Sequence, residues 1–168
     1  MGDDGVPGIA AFQRIAATID YPMWIVTAAE GRERSGCLVG FATQCSIDPV
    51  AVGVWVSKAN HTFPVAARAD VLVVHALDED DMALAELFGA ETGDDVDKFS
   101  RCRWSPGPSG APVLDGLDWF AGRVLHRFDS GDHVGHLLAP FAGEARERPG
   151  RRLGFQRARV IDPGHEAD

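Results

Sequence analysis

Residues 35–62 of this 168-residue chain read SGCLVGFATQCSIDPVAVGVWVSKANHT, and this stretch decides the fold class. Two apolar runs rich in β-branched and aromatic residues flank Asp48-Pro49, which is typical of two short strands joined by a turn. Gly36 and Gly40 interrupt the first run. Glycine within a strand marks either the close approach of a ligand or a bend of a barrel with a bulge, and the sequence leaves both explanations open.

Similar segments lie on both sides of this stretch. They are MWIVTA at 23–28, VLVVHAL at 71–77, WFAGRVLHRF at 119–128 and HVGHLLAPF at 133–141. DSGD at 129–132 separates the last two and predicts a hairpin. We expect a further strand within GFQRARVID at 154–162, giving six or seven strands in all. Close spacing without regular helical crossovers favours a mainly β fold, a barrel or sandwich, over a doubly wound sheet.

Three short helices are predicted. Residues 8–19 place Ile9, Phe12, Ile15, Ala16 and Ile19 at spacings of three and four, which indicates an amphipathic helix with a buried stripe. Residues 59–70 predict a short helix with Asn60 or Thr62 near its N-cap and Pro64 in its first turn. Asp80 to Phe88 predicts a third helix, closed by Gly89.

The net charge of −9 is concentrated in one segment. The chain has 25 acidic and 16 basic residues, and residues 78–97 hold nine of the acids and neither Lys nor Arg. The remainder is therefore neutral, with 16 acids against 16 bases. A nucleic-acid binder needs a basic face, so this function class is disfavoured. A solvated helix and loop is favoured for the acidic segment over a patch that faces a partner.

Composition also indicates the cellular setting. No apolar run is long enough to cross a membrane, and the N-terminal MGDDGVPG is acidic where a secretion signal would be basic. Cys37, Cys45 and Cys102 form no C-x-x-C pair, which disfavours a disulfide framework and a cysteine zinc site. We expect a cytoplasmic protein. The six histidines lack ligand-like spacing, so no metal site is predicted.

Ser57–Thr62, SKANHT, is the segment whose chemistry suggests a ligand. It follows an apolar strand and opens a helix, so it offers the Lys58 cation, polar side chains and free backbone N–H groups. These are the groups that bind a phosphate. A plain helix cap with an exposed lysine explains the same residues.

Taken in order, these segments resemble the flavin reductase family, the FMN-binding split β-barrel proteins that supply reduced flavin to two-component monooxygenases. Eight landmarks carry the resemblance over about residues 20–145. They are Ile25-Val26-Thr27, Gly36 through Ser46-Ile47-Asp48-Pro49, Ser57 to Thr62, Val74-His75-Ala76-Leu77, Phe88-Gly89, Asp97-Lys98-Phe99, Gly110-Ala111-Pro112 and Gly131-Asp132-His133. The resemblance implies one domain over 1–168, with a core at about 20–145, an N-terminal helix at 8–19 and an Arg-rich tail at 146–168.

The resemblance further implies a homodimeric FMN-binding split β-barrel with FMN, or alternatively FAD, near the subunit interface, and NAD(P)H as co-substrate. It implies cofactor contacts, largely through backbone groups, in the strand region. Those residues are Leu38, Val39, Gly40, Phe41, Cys45, Ser46, Val74 and His75. The phosphate loop implied by the family is formed by Ser57, Lys58, Ala59, His61 and Thr62.

Hydride would pass from the nicotinamide to the flavin, and His133 would stand near the nicotinamide as an orienting group. A simple turn role for Gly131-Asp132-His133 is equally open.

Relatives usually have Asn or Gln and Ser where this chain has Gly40 and Phe41, His75 replaces the usual Asn, and Val50 replaces a second Pro. The function that the resemblance implies is an NAD(P)H:FMN oxidoreductase serving a monooxygenase. The alternatives are a non-enzymatic split-barrel electron-transfer protein that binds FMN or a related cofactor, and an interaction domain that has lost its cofactor.

Overall fold

The computed structural model describes residues 6–90 and 96–163 of the chain. The helices are α1 (Pro7–Ala16), α2 (Thr62–Ala66), α3 (Met82–Ala90) and α4 (Phe155–Ala158). The strands are β1 (Trp24–Glu30), β2 (Glu33–Val39), β3 (Ala42–Ile47), β4 (Val50–Ser57), β5 (Val71–Ala76), β6 (Trp104–Pro106), β7 (Pro112–Leu114), β8 (Asp118–Asp129) and β9 (His133–Glu144). The prediction of a mainly β fold with a few short helices is confirmed.

Seven strands form one antiparallel sheet in the order β2-β1-β5-β8-β9-β4-β3, and β6 pairs with β7 in a separate ribbon. The two edge strands of the large sheet, β2 and β3, follow one another in the sequence. Side chains from β2, which is one edge strand, and from β4, which lies next to the other edge strand, pack into one core cluster with β1, β5 and α2. The sheet must therefore curl around this core, which leaves a gap between β2 and β3.

The first apolar run of the opening stretch is two strands, where we expected one. Gly40 and Phe41 separate β2 from β3, and a register shift lies between Gln44 and Ser46 in the pairing of β3 with β4. The bend and the bulge are thus both present. The predicted hairpin at 129–132 is confirmed, since β8 and β9 pair on either side of it.

The predictions for α3 and the C-terminal segment need correction. Gly89 lies inside α3 and does not close it, and a Cβ there would approach Leu38 Cδ2 to 2.8 Å, so glycine lets the helix pack closely on β2. The strand predicted at 154–162 is wrong, since Phe155–Ala158 is helical. Leu153, just before this helix, is fully buried.

The stripe of α1 is also not buried as predicted. Phe12 and Ile15 are 66% and 59% exposed, and no residue of the helix is buried. The helix ends at Ala16, short of the predicted residue 19, and Ile19 beyond it is 48% exposed. The amphipathic pattern is real, but its apolar side faces outward in a single chain. None of the helices in the described part of the chain has the length and apolarity that a bilayer crossing requires.

Three expectations concern segments outside the described residues. The acidic N-terminal residues 1–5, the centre of the acidic segment at 91–95, and residues 164–168 with His165 all lie there.

The C-terminal segment is fixed by a paired carboxylate and guanidinium cluster. Asp78 and Asp118, at the adjacent ends of β5 and β8, are buried. Arg146 reaches Asp118 at 2.7 Å and Asp78 at 2.9 Å, and Arg152 reaches them at 2.6 and 2.8 Å. The Arg146 hydrogen bond is the main reason why the pKa of Asp118 lies well below its usual range. Each buried carboxylate is thus compensated by both arginines.

We expect Asp118→Asn to lower the free energy of unfolding by about 3 kcal/mol, because it leaves two guanidinium groups with a single buried carboxylate. Since the folded pKa is depressed, Asp118 stabilises the fold above its unfolded pKa of about 3.9, and this contribution shrinks as the pH falls below that value. Urea unfolding at neutral pH and at acid pH measures the difference. The exposed Asp115→Asn is the matched control. Equal stability of both variants at neutral pH would contradict the role of the cluster.

Candidate functional site

Three segments meet beside the gap between β2 and β3: the Gly40–Phe41 junction, the loop after β4, and the β8–β9 turn. The pairing of β4 brings them together, since Ser57 lies opposite His133 in the ladder with β9. Trp55 N donates a 2.9 Å hydrogen bond to Phe41 O, and Lys58 N donates a 2.8 Å hydrogen bond to Asp132 O. We call this region the cleft.

Phe41 and His133 face each other in the cleft. Their ring centroids are 5.2 Å apart at an angle of 51°, and Phe41 is 53% exposed. His133 Nδ1 lies 2.7 Å from Asp132 Oδ1. Because a carboxylate accepts, Nδ1 carries the donated proton, and this hydrogen bond lowers the pKa of Asp132. The turn thereby orients the His133 ring beside Phe41.

Lys58 is positioned by the same turn. Its Nζ lies 2.7 Å from Asp129 Oδ2, and Gly131 N donates to Asp129 Oδ1 at 2.9 Å. The Lys58 hydrogen bond is the largest cause of a lowered pKa at Asp129. Both side chains are substantially exposed, and exposed ion pairs contribute little free energy. An anionic group can therefore compete with Asp129 for Lys58.

The remaining residues of the predicted phosphate loop are not gathered in one place. Ser57 Oγ accepts from Ala59 N at 3.3 Å. Thr62 is fully buried and its hydroxyl lies 2.9 Å from Ser35 Oγ, so it ties α2 to β2. His61 lines a different cavity of about 510 Å³ beside α2. Side-chain contact of Thr62 with a ligand, which the resemblance implied, is therefore incompatible with its burial.

Val39, Val74 and His75 are core residues. Val39 and Val74 belong to the barrel core, and Leu38 is half-buried beneath α3. His75 is fully buried: its Nδ1 lies 3.0 Å from Ile25 O, and its Nε2 accepts from Leu114 N at 3.0 Å. Burial lowers the pKa of His75 to about 4. Its ring is thus a neutral cross-link between strands, with neither nitrogen left for a cofactor.

Gly40 and Phe41 line the cleft itself, whereas Cys45 and Ser46 lie further along β3. Cys45 and Ser46 border a separate shallow depression beside the bulge. As edge strands, β2 and β3 each turn one row of backbone N–H and C=O groups away from the sheet. Backbone contacts to a ligand at the gap are therefore available where side chains are not.

The cleft has a cavity of about 620 Å³, a size typical of small-molecule sites. Sequence reasoning missed several of its residues. The lining consists of Tyr21, Pro22, Trp24, Gly40, Phe41, Ala42, Thr43, Gln44 and Trp55. Lys58 and His133 are outside this lining: His133 contacts Phe41, and Lys58 N is hydrogen-bonded to the residue before His133. Four aromatic side chains with a cation on the adjoining loop fit a planar ring that is linked to an anionic group, as in FMN. No signal in the sequence distinguishes Tyr21, Trp24 or Trp55 as a ligand contact.

The sequence model of the flavin reductase like domain matches residues 16–161 of this chain. The chain therefore belongs to the flavin reductase-like family, as the order of its landmarks predicted.

Curated relatives are named as reductases, as a rubredoxin and as diflavin flavoproteins. FMN reductase (NADH) RutF of Stutzerimonas stutzeri is 27% identical over 73% of this chain and 68% of that protein. The high molecular weight rubredoxin of Moorella thermoacetica is 28% identical over 69% of this chain and 52% of its own length. A protein of Nostoc sp. with the name of a diflavin flavoprotein is 25% identical, and the chain spans only 21% of that protein.

Solved structures share the fold over most of the chain. A flavin reductase domain protein from Arthrobacter sp. has a TM-score of 0.78 at 20% identity, covering 89% of this chain and 91% of that one. A homologue of nitrilotriacetate monooxygenase component B from Mycobacterium thermoresistibile has a TM-score of 0.77 at 24% identity, with coverage of 90% and 84%. The NADH:FAD oxidoreductase of Streptomyces globisporus has a TM-score of 0.76 at 21% identity, with coverage of 87% and 86%. The split β-barrel fold is thereby confirmed.

We expect the burial of His75 to appear in the pH dependence of stability. Its folded pKa of about 4 lies below the unfolded value of about 6.5, so the wild type loses stability as the pH falls through this range, by at most about 1.4 kcal/mol per pH unit. His75→Asn removes this part of the slope, and the exposed His126→Asn leaves it unchanged. Urea unfolding between pH 4 and 7 measures both. Identical slopes in all three proteins would contradict the neutral buried state of His75.

Proposed function

We propose that this protein is an NAD(P)H:flavin oxidoreductase that binds FMN in the cleft. The observation that carries the proposal is the convergence of Phe41, Lys58 and His133 at the gap between β2 and β3. A planar aromatic lining, a cation and an oriented imidazole lie together in a chain of the flavin reductase-like family. FAD is the alternative cofactor, since one structural neighbour is named an NADH:FAD oxidoreductase.

Each part of the cleft has a distinct role in this proposal. Phe41 and the outward backbone groups of β2 and β3 orient the ring, and Lys58 binds the phosphate after exchanging Asp129 for it. Bound flavin supplies the hydride acceptor, and nicotinamide supplies the hydride. The protein's part is to hold the two rings face to face.

His133 is proposed to orient the nicotinamide. Its ring is fixed on one side by the Asp132 carboxylate and on the other by contact with Phe41. An imidazole whose Nδ1–H is donated to Asp132 keeps Nε2 as a hydrogen-bond acceptor, which suits the carboxamide N–H of a nicotinamide.

A second copy of this chain is proposed to cover the exposed apolar side chains. Large apolar residues on α1 and just after it, on the β3–β4 hairpin and on β8 and β9 are exposed in the single chain, and such surfaces mark contact sites. They include Phe12, Ile15, Ile19, Ile47, Val50, Leu125, Phe128 and Phe141. A homodimer would bury them, as the family resemblance implies.

A flavin-dependent monooxygenase is the proposed consumer of the reduced flavin. One structural neighbour is named a component of nitrilotriacetate monooxygenase, and another is the flavin reductase component of a tryptophan halogenase. The competing proposal is a non-enzymatic flavin electron carrier. It is favoured by the relatives named rubredoxin and diflavin flavoprotein, whose length this chain spans only in part.

The test is an absorbance scan of the purified protein followed by NADH and NADPH oxidation, with and without added FMN. Flavin-dependent oxidation of either nucleotide supports the reductase. A yellow protein whose flavin neither nucleotide reduces would select the carrier. A colourless protein that binds no flavin and oxidises neither nucleotide would refute both.

We expect Lys58→Ala to weaken FMN binding by about tenfold or more, because a hydrogen-bonded ion pair with the phosphate is lost. Riboflavin lacks the phosphate, so its binding should change little. Asp129→Asn frees Lys58 from its partner and should leave FMN binding at least as tight as in the wild type. Flavin fluorescence titrations measure all three. Equal losses for FMN and riboflavin in Lys58→Ala would contradict phosphate binding by this lysine.

His133→Ala should lower the rate of NADH oxidation while FMN binding is retained, since the ring is proposed to act on the nicotinamide. The control is His126→Ala. The exposed His126 ring stacks on Phe128, and both residues lie on β8, the strand before the one that begins with His133. Steady-state kinetics at saturating FMN separate KM for NADH from kcat. Wild-type values of both constants in His133→Ala would assign this residue to the turn alone.

A further inference from the structure

Tyr21 is the single tyrosine of the chain, and its ring lies directly over Gly40. A Cβ at Gly40 would stand 2.8 Å from Tyr21 Cε2, closer than real Cβ contacts allow, and 3.6 Å from Cζ. The glycine at this junction is therefore what lets the ring take its place. Two residues from different parts of the chain depend on each other at the mouth of the cleft.

The Tyr21 ring is supported from behind by the C-terminal segment. It stacks on Phe155 with ring centroids 4.8 Å apart and planes within 12°. Phe155 N donates a 2.8 Å hydrogen bond to Tyr21 O, and Met23 N donates a 2.8 Å hydrogen bond to Leu153 O. Stacking and backbone pairing thus fix the same short stretch.

This support is itself anchored. Leu153 N donates to Leu77 O at 2.9 Å, and Arg152, the residue before it, is held by the buried carboxylates of Asp78 and Asp118. A partly exposed aromatic side chain is usually free to change rotamer. Here its backing is a segment tied to the core by charge and hydrogen bonds, so the ring is preorganised.

Tyr21 also borders the cavity of the cleft. Its ring centroid lies 6.4 Å from that of Phe41, at an angle of 48°, and both residues line the 620 Å³ cavity with Trp24 and Trp55. Among the described residues, no partner takes a hydrogen bond from the Tyr21 hydroxyl. A ring wall with an available hydroxyl suits a flat heteroaromatic group that carries polar atoms on its edge.

We propose that Tyr21 is a ligand-contacting residue that forms one wall for the planar heteroaromatic ring of the flavin or the nicotinamide, in a position that requires glycine at residue 40 and backing by Phe155. This inference rests on the proposed function, and it adds to it a specificity-determining residue. The C-terminal segment, through Phe155, acts as a positioning element for the cleft.

The test compares Tyr21→Ala, Gly40→Ala and the double variant with the wild type, using FMN titration and the KM for NADH. Loss of a stacking wall weakens binding by about tenfold. We expect each single variant to weaken binding, because the Cβ of Gly40→Ala displaces the Tyr21 ring. In the Tyr21→Ala background the loss caused by Gly40→Ala should be smaller than in the wild type, since the nearest remaining atom to that Cβ is Met23 Sδ at 3.6 Å.

The FMN dissociation constant and the KM for NADH together show which ligand ring Tyr21 contacts. A larger dissociation constant for FMN assigns Tyr21 to the flavin, and a raised KM for NADH with unchanged FMN binding assigns it to the nicotinamide. Phe155→Ala should reproduce part of the effect, and Tyr21→Phe isolates the hydroxyl. Thermal unfolding of each variant separates binding losses from general destabilisation.

Three results would overturn the inference while leaving the proposed function intact. The first is a wild-type FMN dissociation constant and a wild-type KM for NADH in Tyr21→Ala, and the second is fully additive losses in the double variant. The third is a changed oligomeric state with both constants unchanged, because it would assign Tyr21 to a subunit contact. A wild-type protein that neither binds flavin nor oxidises nicotinamide would instead refute the proposed function, and the inference with it.

Discussion

The gap between β2 and β3 is the constraint on which the candidate site depends. Two strands that are consecutive in sequence stand at opposite edges of a seven-stranded sheet, and the chain crosses from one to the other at Gly40–Phe41. Because β4 pairs with β3 on one side and β9 on the other, the loop after β4 and the β8–β9 turn must come to this crossing. The barrel core and α2 hold the sheet curled around them. A sheet closed by hydrogen bonds would offer no outward backbone groups here, so the candidate ligand site depends on this opening.

Part of the uneven charge distribution stabilises the fold through ion pairs. The acidic residues that begin the 78–97 segment accept the arginines of the C-terminal segment: Asp78 binds Arg146 and Arg152, and Glu79 lies 3.3 Å from Arg151 and from Arg157. Two of the nine acids in this segment, Asp78 and Glu79, thus make an intramolecular contact between distant segments. The same contact supports the aromatic side chains at the cleft through Leu153 and Phe155. Stability and the proposed binding site are therefore coupled through the last part of the chain.

The sequence was informative where local chemistry determines structure. The DSGD turn and the loop at 57–62 follow from turn residues between apolar runs, and both lie where they were predicted. It failed where the outcome depends on distant partners. Thr62 and His75 have polar side chains suited to a ligand, but Ser35, Ile25 and Leu114 satisfy them inside the fold. The stripe of α1 has the period of a buried face, yet nothing in a single chain covers it. Tyr21 carries no local signal, because its role arises from contacts with Gly40 and Phe155 across the fold.

A crystal structure of the protein with FMN tests flavin binding in the cleft. We expect electron density for the isoalloxazine ring against Phe41 at the gap between β2 and β3, with the phosphate within hydrogen-bond distance of Lys58 Nζ and the Lys58–Asp129 contact broken. FMN bound at another surface, or bound at the gap with its phosphate away from Lys58, would show that the cleft is not the flavin site proposed here.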